Sequence, residues 1–95
     1  MDPRLKNRQT DMLVKALLSL QTEDECYAFL EDLCTVREIR DLSSRLEVAQ
    51  LLSAGTTYAE IAEKTGASTA TIGRVNRALS YGAGGYTSIL DRLEE

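Results

Sequence analysis

The sequence predicts an all-α protein, and three observations indicate this fold class. The single proline is Pro3 and none of the six glycines precedes Gly55, so the first half of the chain has few helix breakers. Apolar residues recur at spacings of three and four, the repeat of one face of an α-helix. The capping-box pattern Thr-x-x-Glu, which marks a helix N-terminus, occurs three times. We therefore expect six helices in a single domain over residues 1–95.

The N-terminal segment predicts two leucine-rich helices joined by few residues. Residues 4–20 form the first helix, whose apolar side contains Leu5, Met12, Leu13, Ala16, Leu17 and Leu20. Thr22 and Glu25 form a capping box that starts the second helix, which runs to Leu33. Its core candidates are Cys26, Phe29, Leu30 and Leu33. A monomer this small cannot hide so much apolar surface, so we expect these helices to form the interface of a homodimer.

A third helix, from the capping box of Thr35 and Glu38 to Ala54, carries a wide apolar stripe. Helical spacing relates Ile39, Leu42, Leu46, Ala49 and Leu52, and the stripe is widened by Val48 and Leu51. A helix with such a stripe is buried on two sides. Residues 1–55 are therefore the predicted dimerisation helices.

Residues 57–80 predict a helix-turn-helix, in which two short helices flank a tight turn. Thr57 and Glu60 form the third capping box, and Gly66 supplies the left-handed residue that ends the first helix. Ser68 is a favourable N-cap for the second helix. The residues expected to face the protein are Ile61, Ala62, Thr65, Ile72, Val75 and Leu79. Among them, Thr65 stands where the motif usually has an aliphatic side chain.

The outward face of the second motif helix predicts a contact with DNA. At about 100° per residue, Ala70, Gly73, Arg74 and Arg77 point away from the apolar side. Gly73 costs a helix about 1 kcal/mol relative to alanine, and no packing need on that face offsets the cost. A small surface flanked by arginines suits close approach to a groove of nucleic acid. The alternative is an ordinary solvated helix in which Gly73 has no role.

The C-terminal segment predicts a turn and one more helix. Residues 81–85, with the sequence YGAGG, form a flexible turn. A helix over about residues 87–93 then lies within the C-terminal segment 86–95, with Ile89, Leu90 and Leu93 on its apolar side.

The charge of the chain is unevenly distributed. The formal net charge is −4, which by itself disfavours a nucleic-acid partner. Residues 22–32 contain five acidic side chains and no basic one, whereas residues 68–80 contain two arginines and no acidic one. Local rather than total charge decides whether phosphate contacts form, so the composition is compatible with DNA binding.

Composition disfavours three other classes of function. No apolar run approaches the ~20 residues of a membrane span, and the N-terminus lacks the apolar stretch of a signal peptide, so we expect a cytoplasmic protein. The chain has no histidine and two cysteines, Cys26 and Cys34, so we expect buried free thiols and no metal. Without a histidine or a Walker loop we expect no enzyme and no catalytic residues.

Two stretches give the chain a resemblance to a known family. They are LSSRLEVAQLLSAG, residues 42–55, and GASTATIGRVNRAL, residues 66–79. With these stretches placed among six helices, the chain resembles the Trp repressor superfamily, and most closely its Trp repressor-like YerC/YecD family of Gram-positive bacteria. The resemblance implies an intertwined all-helical homodimer that binds double-stranded operator DNA.

The resemblance also implies which residues contact DNA. By position, Thr69, Ala70 and Thr71 face bases at the start of the reading helix. The first motif helix approaches phosphates at Thr57, Tyr58 and Lys64. Combined with the cap and the outward face, the predicted DNA-binding set is Thr57, Tyr58, Lys64, Ser68, Thr69, Ala70, Thr71, Gly73, Arg74 and Arg77.

A corepressor site is the last feature that the resemblance implies. The Trp repressor holds tryptophan between two arginines, whose places are taken here by Arg45 and Arg74, and Thr35 matches a third pocket position. A glycine and a serine of that pocket are replaced by Val75 and Ala78, and a branched side chain would fill the space that an indole needs. We therefore expect no required cofactor and no tryptophan, while another small-molecule effector stays an alternative. If no effector binds, Arg74 contacts a DNA phosphate and Arg45 forms an ion pair with an acidic residue of the same chain.

Two functions are compatible with these observations. The first is a sequence-specific DNA-binding transcriptional regulator, a repressor that acts as a homodimer on a palindromic operator. The alternative is a helical protein-interaction module without DNA binding, which the negative net charge and the acidic stretch 22–32 favour.

Overall fold

The computed structural model describes residues 1–94, and in these residues the secondary structure is entirely helical. After a 3-10 turn at Pro3–Leu5 come six α-helices. They are α1 (Arg8–Ser19), α2 (Glu23–Leu33), α3 (Val36–Ser53), α4 (Tyr58–Thr65), α5 (Thr69–Tyr81) and α6 (Gly85–Leu93). The prediction of an all-α fold with six helices is confirmed, and the predicted segment 86–95 ends at Glu95, outside the described residues.

The first helix begins four residues later than predicted, because two side-chain caps divide the segment. Asp2 accepts a hydrogen bond from the Arg4 N–H at 2.9 Å and caps the short 3-10 turn. Asn7 then caps α1 by accepting from the Thr10 N–H at 2.8 Å. The N-cap has an extended backbone and interrupts the helix, so Leu5 lies outside α1.

Side-chain caps start three later helices where the sequence predicted them. At α2 both bonds of the capping box are present, from the Glu25 N–H to Thr22 Oγ1 at 3.1 Å and from the Thr22 N–H to Glu25 Oε1 at 3.2 Å. At α4 the structure shows the first of these bonds, from the Glu60 N–H to Thr57 Oγ1 at 3.3 Å. Ser68 caps α5 in the same way. Each cap satisfies a backbone donor that the first helical turn leaves free.

The described residues divide into two compact units, Met1–Val36 and the residues from Arg37 onward. The prediction of one domain over residues 1–95 stays a prediction. In the first unit no side chain is fully buried. Several predicted core residues are exposed in the protomer, among them Met12 at 70%, Leu17 at 45% and Leu33 at 50%. Cys26 and Cys34 are free and half-buried.

The second unit contains the hydrophobic core of the described chain. Each of its four helices contributes, through Val48 and Ala49 of α3, Ile61 of α4, Ile72 and Val75 of α5 and Leu90 of α6. Of the three predicted apolar residues of α6, Leu90 is buried in the core, whereas Ile89 is 42% and Leu93 is 62% exposed. α6 begins at Gly85, after Gly84 turns the chain at a φ of 85°, so the predicted turn is shorter than residues 81–85. Among the described helices none is both long enough and apolar enough to span a membrane.

Candidate nucleic-acid interface

A helix-turn-helix is formed by α4, residues 66–68 and α5, as predicted. Gly66 ends α4 with a φ of 74°, a left-handed conformation that glycine adopts without a steric penalty. Ile61 and Ile72 are fully buried, and Val75 is 2% exposed. These three side chains fix the orientation of α5 on the protein, because a packed core permits few alternative positions.

Thr65 satisfies the backbone of the turn with its hydroxyl group. Its Oγ1 donates to the Ile61 carbonyl at 2.8 Å and accepts from the Ala67 N–H at 3.1 Å. An aliphatic residue at this position would leave the Ala67 donor without that acceptor. The departure from the usual motif therefore stabilises the turn by a local side-chain hydrogen bond.

The predicted reading face of α5 is accessible. Ala70, Arg74 and Arg77 are exposed, and Gly73 is half-buried. A Cβ atom built on Gly73 would have no neighbouring atom within 4 Å. Intramolecular packing therefore does not require glycine at position 73.

Replacing Gly73 with alanine should change stability and DNA affinity in opposite directions. Alanine favours a helix by about 1 kcal/mol over glycine, and its methyl group enters open space, so the free energy of unfolding should rise. If α5 lies against a duplex, the same methyl group should weaken binding. Chemical denaturation and a fluorescence-anisotropy titration measure the two effects. A variant that is more stable and binds DNA as tightly as the wild type would show that position 73 is not at a tight contact.

The remaining predicted DNA-binding residues lie around the ends of the two motif helices. Tyr58 is the first residue of α4 and is 39% exposed, and Lys64 is exposed in its last turn. Thr69 is exposed at the first position of α5. The caps use the hydroxyl groups of Thr57 and Ser68, while the side chain of Thr71 is half-buried.

A polar groove of about 560 Å³ runs beside the turn of the motif. Its lining consists of Arg40, Asp41, Ser44, Arg45, Thr65, Gly66, Ala67, Ser68, Thr71 and Arg74. The groove brings together the predicted effector residues Arg45 and Arg74. Sequence reasoning missed Arg40 and Ser44, which lie four residues apart and therefore on the same face of α3.

The arginines of the groove have no acidic partner within the described chain. The ion pairs found there are Arg4 with Asp2 and Lys6 with Asp11, each at 2.6 Å and both in the N-terminal unit. One alternative from the sequence was that Arg45 forms an ion pair with an acidic residue of the same chain. In residues 1–94 such a pair is absent.

The family comparison covers most of the chain. The sequence model of the Trp repressor protein family matches residues 8–94. The chain belongs to the Trp repressor family. The resemblance predicted from residues 42–55 and 66–79 is thereby confirmed.

Relatives within the Trp repressor family are similar over nearly their full length. The uncharacterized protein YerC of Bacillus subtilis (strain 168) is 50% identical over 92 residues, which is 97% of this chain and 88% of YerC. A crystal structure described as that of a candidate Trp repressor from Staphylococcus aureus has a TM-score of 0.93 at 49% identity, covering 99% of this chain and 95% of that one. A TrpR-like protein from Eubacterium eligens has a TM-score of 0.93 at 53% identity, with coverage of 98% and 96%. Membership of this family suggests a DNA-binding regulator.

The positions that distinguish this chain from the Trp repressor lie in two different places. Val75 is packed in the core, and Ala78 lines a separate apolar cleft with Leu46, Ala83, Gly85, Tyr86 and Ile89. Neither residue lines the groove of Arg45 and Arg74. Thr35 belongs to the unit of residues 1–36 and directly precedes α3.

The described residues contain no group of three or more acidic or cysteine side chains that could hold a metal ion.

Proposed function

We propose that the protein is a homodimeric transcriptional repressor of the bacterial cytoplasm that reads a palindromic operator with α5. The observation that carries this proposal is the contrast between the two sides of α5. Its inner side is buried through Ile72 and Val75, whereas its outer side offers a small surface next to Arg74 and Arg77. Shape complementarity would place α5 in a major groove, and the arginines would contact phosphates.

The homodimer is proposed because the N-terminal unit leaves large apolar side chains exposed. Leu18 is 79%, Met12 70% and Val14 48% exposed in the protomer. Large apolar side chains that stay exposed in a soluble protomer commonly mark a contact with another protein. A two-fold dimer would cover these side chains, and two copies of α5 can read a palindrome when they lie about 34 Å apart, the spacing of successive major grooves.

Selection of duplexes from a random pool tests the proposed function directly. The full-length protein should enrich a palindromic sequence, and its half-sites should be separated by about one helical turn of DNA, ~10 base pairs. Anisotropy titrations with the selected duplex and a scrambled duplex should differ by about 1,000-fold or more in affinity. Equal affinity for both duplexes would contradict sequence-specific binding.

Replacing Arg77 with alanine should weaken DNA binding and reduce its dependence on salt. Each phosphate contact contributes about 0.9 to the slope of log K against log salt, so two lost contacts in a dimer should lower the slope by about 2. Titrations from about 50 to 200 mM salt measure that slope. Arg92→Ala is the matched control, because Arg92 is exposed on α6, outside the motif. An unchanged slope in Arg77→Ala would remove this residue from the phosphate contacts.

The alternative function, a protein-interaction module, is favoured by the acidic α2. Its first turn holds Glu23, Asp24 and Glu25, and its last turns hold Glu31 and Asp32. Mixing the protein with genomic fragments at low salt on a size-exclusion column discriminates the two functions. Co-elution supports the regulator, and separate elution supports the module.

Tryptophan is not expected to act as the effector of this regulator. The groove that holds Arg45 and Arg74 has no aromatic residue in its described lining, so an indole ring would meet polar groups there. A thermal-shift titration with tryptophan tests this expectation. A ligand that binds the folded state raises the melting temperature, so tryptophan should leave the melting temperature unchanged.

A further inference from the structure

The outward face of α5 extends beyond Arg77 to Tyr81. The sequence predicted Tyr81 in the turn of residues 81–85, whereas in the structure it is the last residue of α5. Ala70, Arg77 and Tyr81 are seven and four residues apart, so they lie on one face of the helix, which points away from the core. Tyr81 is 89% exposed, the highest value among the large apolar side chains of the described chain. The face that is proposed to read DNA therefore ends in an aromatic side chain with a hydroxyl group.

The fold of the protomer gives the Tyr81 side chain no other contact. Within residues 1–94 its hydroxyl group has no hydrogen-bond partner. A lone exposed aromatic residue is ordinary on a protein surface, so the informative observation is its register on the outward face of α5.

Gly82 holds Tyr81 within the helix. Its N–H donates to the Ala78 carbonyl at 2.9 Å and closes the last turn of α5. A Cβ atom at residue 82 would collide with that same carbonyl oxygen. The close approach of this glycine therefore keeps Tyr81 in line with Ala70 and Arg77.

The length of this face decides which part of a duplex Tyr81 would meet. Tyr81 follows Ala70 by eleven residues, which is about 16 Å along the helix axis at 1.5 Å per residue. The major groove of DNA is about 12 Å wide. A helix that places its first turn among the bases and lies across the groove therefore reaches the flanking phosphates at its last residue. A phenol hydroxyl group is a suitable neutral donor to a phosphate oxygen.

We propose that the Tyr81 hydroxyl group donates a hydrogen bond to a backbone phosphate at the edge of the groove that α5 enters. This bond positions α5 lengthwise across the groove, whereas contacts near Ala70 provide the sequence specificity. The inference rests on the proposed function and adds an uncharged phosphate contact that the predicted DNA-binding set lacks. Arginine contacts release counterions and a neutral phenol does not, so the two kinds of contact differ in their dependence on salt.

Tyr81→Phe tests the contact because it removes the hydroxyl group alone. Its affinity for the selected duplex should fall by about tenfold or more, since each protomer loses a hydrogen bond to a charged group. Affinity for the scrambled duplex should fall by the same factor, because phosphates carry no sequence information. The slope of log K against log salt should stay that of the wild type, in contrast to the lower slope expected for Arg77→Ala.

Tyr27→Phe is the matched control, because it removes the same group from a tyrosine that is 68% exposed on α2, outside the motif. It should bind the selected duplex as the wild type does. Chemical denaturation should give Tyr81→Phe the free energy of unfolding of the wild type, since the hydroxyl group has no partner within residues 1–94.

Duplexes in which one phosphate is replaced by a neutral methylphosphonate locate the contact. At one position in each half-site, the replacement should weaken binding by the wild type much more than binding by Tyr81→Phe, because the two changes remove the same bond. Undiminished affinity in Tyr81→Phe, or losses that add at every position, would overturn the inference and leave the proposed function intact. A lower salt slope in Tyr81→Phe would also overturn it, because the loss would then come from a displaced arginine. If the wild type binds no duplex, the proposed function and this inference both fail.

Discussion

Ala70→Leu should abolish sequence-specific DNA binding by a protein that stays folded. Ala70 is exposed at the second position of α5, on the face opposite the buried Ile72 and Val75. Leucine is nearly as good a helix former as alanine, so the free energy of unfolding should change little. Its longer side chain would hold α5 away from the floor of a groove and break the contacts of the arginines at the same time.

The loss of affinity should be at least about 100-fold, because specific binding commonly exceeds non-specific binding by 10³ or more. Anisotropy with the selected duplex measures the loss, and circular dichroism confirms the fold. Ala54→Leu is the matched control, since Ala54 is also exposed but follows α3, outside the motif. Undiminished affinity in folded Ala70→Leu would show that this face does not enter a groove.

Local capping chemistry explains why much of the fold could be predicted from the sequence. α2 begins after Thr22, and α4 and α5 begin after Thr57 and Ser68, because these side chains satisfy backbone donors within three residues. Such signals need no knowledge of the rest of the chain. The position of the turn at Gly66 follows from the same local logic.

Burial was harder to predict because it depends on what lies opposite each helix. α6 has three apolar residues at helical spacing, yet Leu90 is buried in the core while Ile89 and Leu93 are exposed. In α1 the apolar periodicity is real, but the protomer provides no core against which Met12 and Leu17 become fully buried. Periodicity therefore identifies an apolar face without naming the surface that covers it.

The candidate site shows the same limit for polar residues. Arg45 and Arg74 were identified by resemblance, whereas Arg40 and Ser44 were missed. Their spacing indicates that the two residues share one face of α3, but it does not indicate which element lies beside that face. Only the packing of α3 with the helix-turn-helix brings this polar face to the turn at residues 65–68.

Leu18→Lys should dissociate the proposed homodimer and thereby remove high-affinity DNA binding. Leu18 is the most exposed leucine of the chain at 79%, so lysine costs the isolated protomer little. Covering a leucine is worth about 1.5–3 kcal/mol, and a two-fold interface loses this contribution twice. The dimer dissociation constant should therefore rise by about 100-fold or more. Sedimentation velocity over a range of protein concentrations measures the shift.

Ser19→Lys separates the loss of apolar contact from the added charge. Ser19 is exposed at the end of α1, next to Leu18, and the substitution introduces the same ammonium group. We expect Ser19→Lys to remain dimeric and to bind the selected duplex as the wild type does. Leu18→Lys should be a folded monomer at micromolar concentration and should bind that duplex at least tenfold more weakly, because a single α5 reads half of the palindrome. A dimer that persists in Leu18→Lys would place the contact between protomers outside the face of α1 that carries Leu18.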